Sequence, residues 1–441
     1  MANDELPIWR KHMVVFVVSW MALMATFSIT SLLTAIPEIA SELSTTIEIL
    51  NVTNAATLIA MGVSSLIWSP LSEVFGRRLI YNIAISVMVA SSIGVAVAPT
   101  MALFTALRLI CGFTGTFFMV SGQIIITDIF EPAVRGRATA CLMIGSVAGP
   151  ALGPCAGGLI VTYSDWRVIF WLQAAMAGLG LILSLIFVPT IHRRVDSDLS
   201  ANCKTTQDRQ PVHQSPRLAL SLAKFNPVRV LKQLNHPEIL LAGITCGFLS
   251  ATQYTLLTSV RHVINPRFHL TTPLVSGLFY ISPGLGLVLG SILGGKMSDA
   301  AVKSYVQKKG TRRPKDRLNS GLLGLFIILP AALLIYAWPL QMERGGLALP
   351  MIAAFWIGIG LMGTFNGINT YMSEVRPAEK TEVVAAKYIM QYAFGAISTA
   401  IIVPLIDSVG VGWAFTLWTF LDILGGIFIL FIARFSPDSW I

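Results

Sequence analysis

The chain has 441 residues, with 31 Lys and Arg against 22 Asp and Glu, a net charge of +9. Hydrophobic residues make up 54% and charged residues 12%, about half the share of an ordinary soluble domain, and the mean hydropathy is +0.72. These values exclude a water-soluble enzyme, and they exclude a disordered or fibrous chain.

A bilayer core about 30 Å thick needs roughly 20 mostly apolar residues per crossing helix. Twelve such runs follow one another, at approximately 13–36, 53–72, 79–98, 102–126, 138–162, 168–189, 239–260, 272–294, 320–340, 347–371, 382–405 and 411–433. The polar start MANDELPIWRKH has no small-residue cleavage site after it, so the first run is expected to be retained. Lys and Arg sort by loop: 25 lie in the termini and even-numbered loops, four in odd-numbered loops (Arg167, Arg261, Arg267, Arg344) and two within spans (Arg108, Lys387). This asymmetry predicts cytoplasmic termini, and lipid and topology account for the basic excess without nucleic acid.

Residues 190–238 form the longest polar stretch and divide the spans six and six. Its second part, LALSLAKFNPVRVLKQL, mixes apolar and basic residues; an amphipathic surface helix and a plain solvated linker both fit. Ser72 and Glu73 after span two match Ser298 and Asp299 after span eight, an offset of 226 residues. The expected architecture is an all-α membrane protein of twelve transmembrane helices in two six-helix pseudo-repeat halves, 1–189 and 239–441, joined by the cytoplasmic linker 190–238.

Four local patterns carry chemistry. SPLSEVFGRR after span two sets Glu73 beside a turn at Gly76, within reach of Arg77 and Arg78. In LRLICGF of span four, Arg108 is a charge inside a span; it faces a cavity or partner, or snorkels outward, being about two turns from the end. In span five, GSVAGPALGPCAGG repeats Gly145, Gly149, Gly153 and Gly157 on one helix face, with Pro150 and Pro154 interleaved and Gly158 beside it. Span eight repeats the device with Gly286, Gly290 and Gly294, and the two stripes are expected to meet across the seam between halves. Lastly, YSDWRVIFW, RRPKDRL, GINTYM and GVGWAF lie at span ends or within late spans.

Together these segments resemble the major facilitator superfamily. The loop after span two is similar to its loop signature, with Glu73 where Asp is commoner and Ser69 where Gly is expected. Arg108 and Gly112 match an Arg-x-x-x-Gly signature, with Cys111 where Gln is usual. GPALGPCAGG resembles the antiporter signature of the drug:proton antiporters, and the scattered segments resemble the fungal twelve-span members. The resemblance implies the major facilitator fold and proton-driven export of a small lipophilic molecule, a drug or secondary metabolite, by alternating access. A proton-coupled nutrient importer of the same fold and a non-transporting membrane sensor are the alternatives. It also implies that Asp128 joins Glu73, Gly76, Arg77 and Arg78 in a conformational latch.

Polar and aromatic residues of the inner spans give the candidate substrate cavity: Trp20, Arg108, Gln123, Gln253, Tyr254, Tyr280, Phe365, Asn366, Asn369, Lys387, Gln391 and Tyr392. With no acid in spans one, five, seven, eight or ten, and in span eleven only Glu382 at its edge, the cavity suits neutral or anionic compounds better than permanent cations. Asp422, mid-span in span twelve, is either a proton site, a charge partner of Lys387, or a structural group. Asn51-Val-Thr53 is the one N-glycosylation sequon, hard against span two. No metal-ligand spacing, phosphate loop or CxxC motif appears, so the expectation is no metal, no cofactor beyond the proton gradient, and no enzyme activity. The expected partners are the bilayer and a small molecule; the protein is expected to be monomeric, in the plasma membrane or alternatively the vacuolar membrane.

Overall fold

The computed structural model describes residues 7–130, 135–189, 228–270, 272–309, 313–376 and 379–435. Among them run twelve helices long and apolar enough to cross a membrane: Ile8–Thr34 (α1), Ile47–Ser72 (α2), Arg77–Ala96 (α3), Met101–Ile126 (α4), Cys141–Tyr163 (α5), Arg167–Phe187 (α6), Pro237–Arg267 (α7), Pro273–Tyr305 (α8), Pro314–Gln341 (α9), Ala348–Glu374 (α10), Lys380–Val409 (α11) and Val411–Phe435 (α12). All twelve expected spans are present. The hydroxyls of Thr46 and Thr100 cap α2 and α4, accepting from Ile49 N and Leu103 N at 3.4 Å. Between α2 and α3 the chain turns at Gly76 with φ of 95°, a conformation other residues resist.

The two halves pack alike. In the first, α1 packs on α5, α2 on α4, and α3 on α6; in the second, α7 packs on α11, α8 on α10, and α9 on α12. Between the halves, α2 meets α11 and α5 meets α8, and these two seams exchange under the same half-to-half relation. The pairing repeats in three dimensions what the Ser72-Glu73 and Ser298-Asp299 match suggested in one.

The glycine stripes do not lie where the sequence placed them. Cβ atoms built at Gly145, Gly149, Gly153 and Gly157 would strike Ser19 O, Thr26 Oγ1, Thr30 Oγ1 and Ser31 O at 2.0–2.3 Å, so this face receives α1, within its own half. Gly286, Gly290 and Gly294 likewise receive α10, at Phe355, Ile359 and Gly363. Helices α5 and α8 do touch, but through another face. A Cβ at Gly158 would meet Pro273 O at 2.4 Å, one at Gly277 would meet Pro154 O at 2.8 Å, and one at Gly284 would meet Ala151 Cβ at 2.2 Å. One residue advances a helix face by about 100°, so Gly158 belongs to a different stripe from Gly157. An i, i+4 repeat reveals a close-packed face and is silent about its partner. On the α1 side, Thr30 and Thr34 hydroxyls donate to Gly149 O at 3.0 Å and Pro154 O at 3.3 Å.

Of the linker, 190–227 lies outside the described residues. Most of LALSLAKFNPVRVLKQL, where an amphipathic helix or a solvated linker was expected, falls there too, and the described part forms a short helix, Val228–Lys232, and a 3-10 turn, Gln233–Asn235, ahead of α7. Its Val230 is buried with Ala385 and Ala386 of α11, and Leu66 of α2 packs on the same cluster. Gln233 Nε2 donates to Glu379 Oε2 at 2.9 Å, and Arg376 reaches Glu379 Oε2 and His236 Nδ1 at 3.1 Å. These bonds hold the Glu379 carboxyl below the usual carboxylate range.

Candidate substrate pathway between the halves

At the membrane end away from the termini, the halves are clasped. A π-helical turn, Val260–Ile264, interrupts the regular pitch of α7 and presents Arg261. Its guanidinium donates to Thr34 O at the end of α1 and pairs with Glu38 Oε1 at 3.4 Å. Beside it, Leu274 N at the start of α8 donates to the Thr162 hydroxyl of α5 at 3.0 Å. On the same face Arg167 and Trp166 Nε1 donate to Glu42, and these bonds hold that carboxyl below its usual range. In the sequence Arg167 and Arg261 stand out as odd-loop cations, and nothing there ties them to Glu38 or Glu42. Their one signal was position: Glu38 and Arg261 flank the first span of each half.

At the other end the second half carries a charge cluster. Arg317, at the start of α9, bonds Asp299 Oδ1 at 3.0 Å, Ser298 Oγ at 3.3 Å and Glu374 Oε2 at 3.3 Å. Asp299 lies in α8 and Glu374 ends α10, so one arginine ties three helices. Glu73, Arg77 and Asp128 occupy the corresponding helix ends of the first half. The Glu73 and Asp128 side chains lie outside the described residues, so the expected latch is placed by backbone alone; Arg78 Nη2 donates to Leu185 O at 2.6 Å.

Among the described residues, Arg108, Lys387 and Asp422 are charged side chains buried in mid-span. Arg108 is 1% exposed and faces inward: it donates to Ser28 O at 2.7 Å and Asn54 Oδ1 at 3.4 Å and lies over the Phe170 ring at 5.8 Å. It therefore ties α4 to α1, α2 and α6 and does not snorkel. Lys387 is 2% exposed; Nζ donates to Asn369 Oδ1 at 2.7 Å and sits 3.5 Å from the centre of the Tyr388 ring. Asp422, fully buried, accepts from the Thr252 hydroxyl at 2.8 Å, across the α7–α12 contact. Of the alternatives for Asp422, the pair with Lys387 is not formed. Each has its own neutral partner, because Asp422 faces α7 on the outer flank of its half while Lys387 faces α10.

The other cavity candidates separate by what they touch. Trp20 Nε1 donates to Met176 O at 2.9 Å, Tyr280 OH to Leu257 O at 2.7 Å, and Asn366 Nδ2 to Ser291 O at 2.7 Å; these three fasten neighbouring helices. Tyr254 and Phe365 are buried, Tyr254 against Gly395. Tyr392 crosses the seam, its OH 3.7 Å from Met119 Sδ of α4. Gln123, Gln253, Asn369 and Gln391 stay partly exposed in mid-helix. The amides of Gln123, Gln253 and Gln391 have no hydrogen-bond partner among the described residues.

The sequon lies inside a helix. Asn51 is 8% exposed in the second turn of α2, and the Thr53 hydroxyl is spent on Ile49 O at 2.9 Å, so the segment cannot offer the extended, accessible strand that glycosylation needs. Among the described residues no group of three or more His, Cys, Asp or Glu is arranged to hold a metal.

The chain is similar to the MFS antiporter QDR3 of Candida albicans, at 23% identity over 98% of this chain and 78% of that one. It is similar also to the efflux pump radE of Floropilus chiversii, at 26% identity over 83% of this chain and 69% of the relative. Among solved structures, the partially occluded inward-open conformation of the xylose transporter XylE from E. coli shares the fold. That match has a TM-score of 0.66 and 16% identity over 97% of this chain and 98% of the other. The family model described as Major Facilitator Superfamily matches residues 18–400, and with twelve spans in two matching halves the chain belongs to that superfamily.

Proposed function

We propose that this transporter exports a small lipophilic molecule in exchange for protons, by rocking of its halves, 1–189 and 239–441, about the α2–α11 and α5–α8 seams. The observation that carries the reading is the clasp at the end away from the termini: Arg261, Glu38, Thr34, Thr162 and Leu274 join the halves there, over an interior where the amides of Gln123, Gln253 and Gln391 have no hydrogen-bond partner among the described residues. An interior sealed at one end is what a carrier needs in one of its two resting states. The printed names of the relatives, an antiporter and an efflux pump, support the direction and the coupling. The loop asymmetry of Lys and Arg supports cytoplasmic termini, and on that orientation the clasp is extracytoplasmic. We assign the protein to the plasma membrane as a monomer, with Glu73, Gly76, Arg77, Arg78 and Asp128 as the latch matching the Arg317 cluster.

Counterflow tests this reading. In vesicles reconstituted with the purified protein, labelled lipophilic solutes should move against an imposed pH gradient, and dissipating the gradient should stop them. Movement unaffected by the gradient would remove proton coupling; uptake only in the direction of the proton flow would make the protein an importer.

A further inference from the structure

The interior of this protein holds a cation with spare bonding capacity. The Lys387 ammonium has three N–H donors. One goes to Asn369 Oδ1 at 2.7 Å, and the Tyr388 ring face, 3.5 Å away, takes a second interaction. No Asp or Glu among the described residues lies within 4 Å of it; the one mid-membrane acid, Asp422, is turned to Thr252 on the far flank of the half. A buried ammonium held by a neutral amide and a ring is under-compensated, since desolvation of a full charge is repaid by an opposite charge and not by a dipole.

The surroundings of Lys387 are built for a guest with acceptor atoms. Gln391 lies one helical turn beyond it on the same face of α11, partly exposed and with no partner among the described residues. Gln123 follows Met119 by one turn on α4, and Met119 is the residue that meets Tyr392 of α11, so Gln123 looks across the seam toward the same helix. Asn369, the one hydrogen-bond partner of Lys387 among the described residues, is itself partly exposed, so an incoming anionic group displaces this amide oxygen to reach the ammonium. Lys387 and Gln391 thus share one face of α11, Gln123 lies on the face of α4 that meets this helix, and no carboxylate among the described residues pairs with the ammonium.

We propose that the transported solute carries an anionic group, a carboxylate or an acidic enol or phenol, on a lipophilic body, and that Lys387 is the residue that selects it. The proposal rests on the transport reading above. Asn369 holds the ammonium in the empty carrier and yields to the anion; Gln123 and Gln391 bind the remaining acceptor oxygens. Seating the anion discharges the buried cation, so the occupied interior is easier to close than the empty one.

The test reads binding rather than movement, so its failure and the failure of counterflow are separate results. Purified full-length protein in detergent is titrated at pH 7.5 with aromatic monocarboxylates of one to three rings, each paired with its neutral methyl ester, and binding is followed by thermal shift. At least one acid should bind saturably and more tightly than its ester. Lys387→Met should weaken that acid by about 10- to 100-fold, the worth of one charge-assisted hydrogen bond, and leave the ester unchanged. Lys387→Arg should retain much of the preference, which separates charge from packing. If Lys387→Met does not fold, Asn369→Leu, which leaves the ammonium in place, should strengthen the acid over the ester. Acids that bind no better than their esters, or a preference that survives in Lys387→Met, would overturn the proposal.

Discussion

Removing the Arg261 guanidinium should open the end of the bundle away from the termini. Arg261 makes two charge-assisted contacts to the other half, with Thr34 O and with the Glu38 carboxylate. Such bonds contribute about 1.5–3 kcal/mol each when well buried. Here the Arg261 and Glu38 side chains are 23% and 35% exposed, so water screens part of that, and about 2 kcal/mol is a reasonable sum for the clasp. Losing it multiplies the population of the state open at this end about 30-fold relative to the closed one. Spin labels at Ser41→Cys and Ser408→Cys, both exposed at this end and in different halves, read the gap by pulsed electron resonance after the native cysteines are replaced. Arg261→Met should add a longer distance to the distribution, and Glu38→Gln should add a smaller amount of the same component, because it leaves the Thr34 bond. A distribution unchanged in Arg261→Met, with the protein folded, would refute the idea that these contacts hold the halves together.

Three further outcomes follow from the packing and the charges. Gly149→Ala puts a Cβ 2.0 Å from Thr26 Oγ1 and 2.6 Å from Phe27 N, so it should lose about 1–3 kcal/mol of stability, whereas Gly178→Ala, with nothing within 4 Å, should be neutral or slightly stabilising in the same melting assay. Lys387→Met should melt no earlier than the parent, because a buried under-compensated charge is exchanged for an apolar chain of similar length; early melting would mean that the ammonium is structural. Glu42 has a folded-state pKa lowered from its ordinary value of 4.5 by Arg167 and Trp166, so its stabilisation is complete above about pH 4.5 and is lost as pH falls through the lowered value. The melting curves of Glu42→Gln and the parent should therefore differ at pH 7 and converge on acidification; a constant gap across that range would rule out an ionic contribution.

The fold was legible because the signal behind it is one-dimensional. A membrane helix is a run of apolar residues, and each run could be counted without knowing its neighbours. Its edges were less so. Span α8 continues to Tyr305 through Lys296, Asp299 and Lys303, because backbone hydrogen bonding does not stop where hydropathy falls. Span α7 extends to Arg267 through a π turn that no periodicity announces. Side-chain roles were least legible. Trp20, Tyr280 and Asn366 have the composition of cavity residues, but the helix face each occupies is set by a neighbour distant in sequence. Small-residue stripes could be recognised on α5 and α8, while their partners, α1 and α10, could not. The Arg317 cluster was half visible: Asp299 stood out by the internal repeat and RRPKDRL by resemblance, but the joining of the two, and of Glu374, needs three helix ends in space. The Arg261 clasp joins residues more than two hundred positions apart, each alone an ordinary loop charge.

Whether solute passage requires the halves to separate is tested most directly by tying them. Leu274 N lies 3.0 Å from the Thr162 hydroxyl across the α5–α8 seam, which puts the two Cα atoms within about 7 Å and in reach of a short bifunctional thiol reagent after Thr162→Cys and Leu274→Cys. The cross-linked carrier should bind solute from the side of the termini yet move none in counterflow, and cleaving the bridge should restore movement. Full transport with the bridge intact would contradict alternating access about this seam.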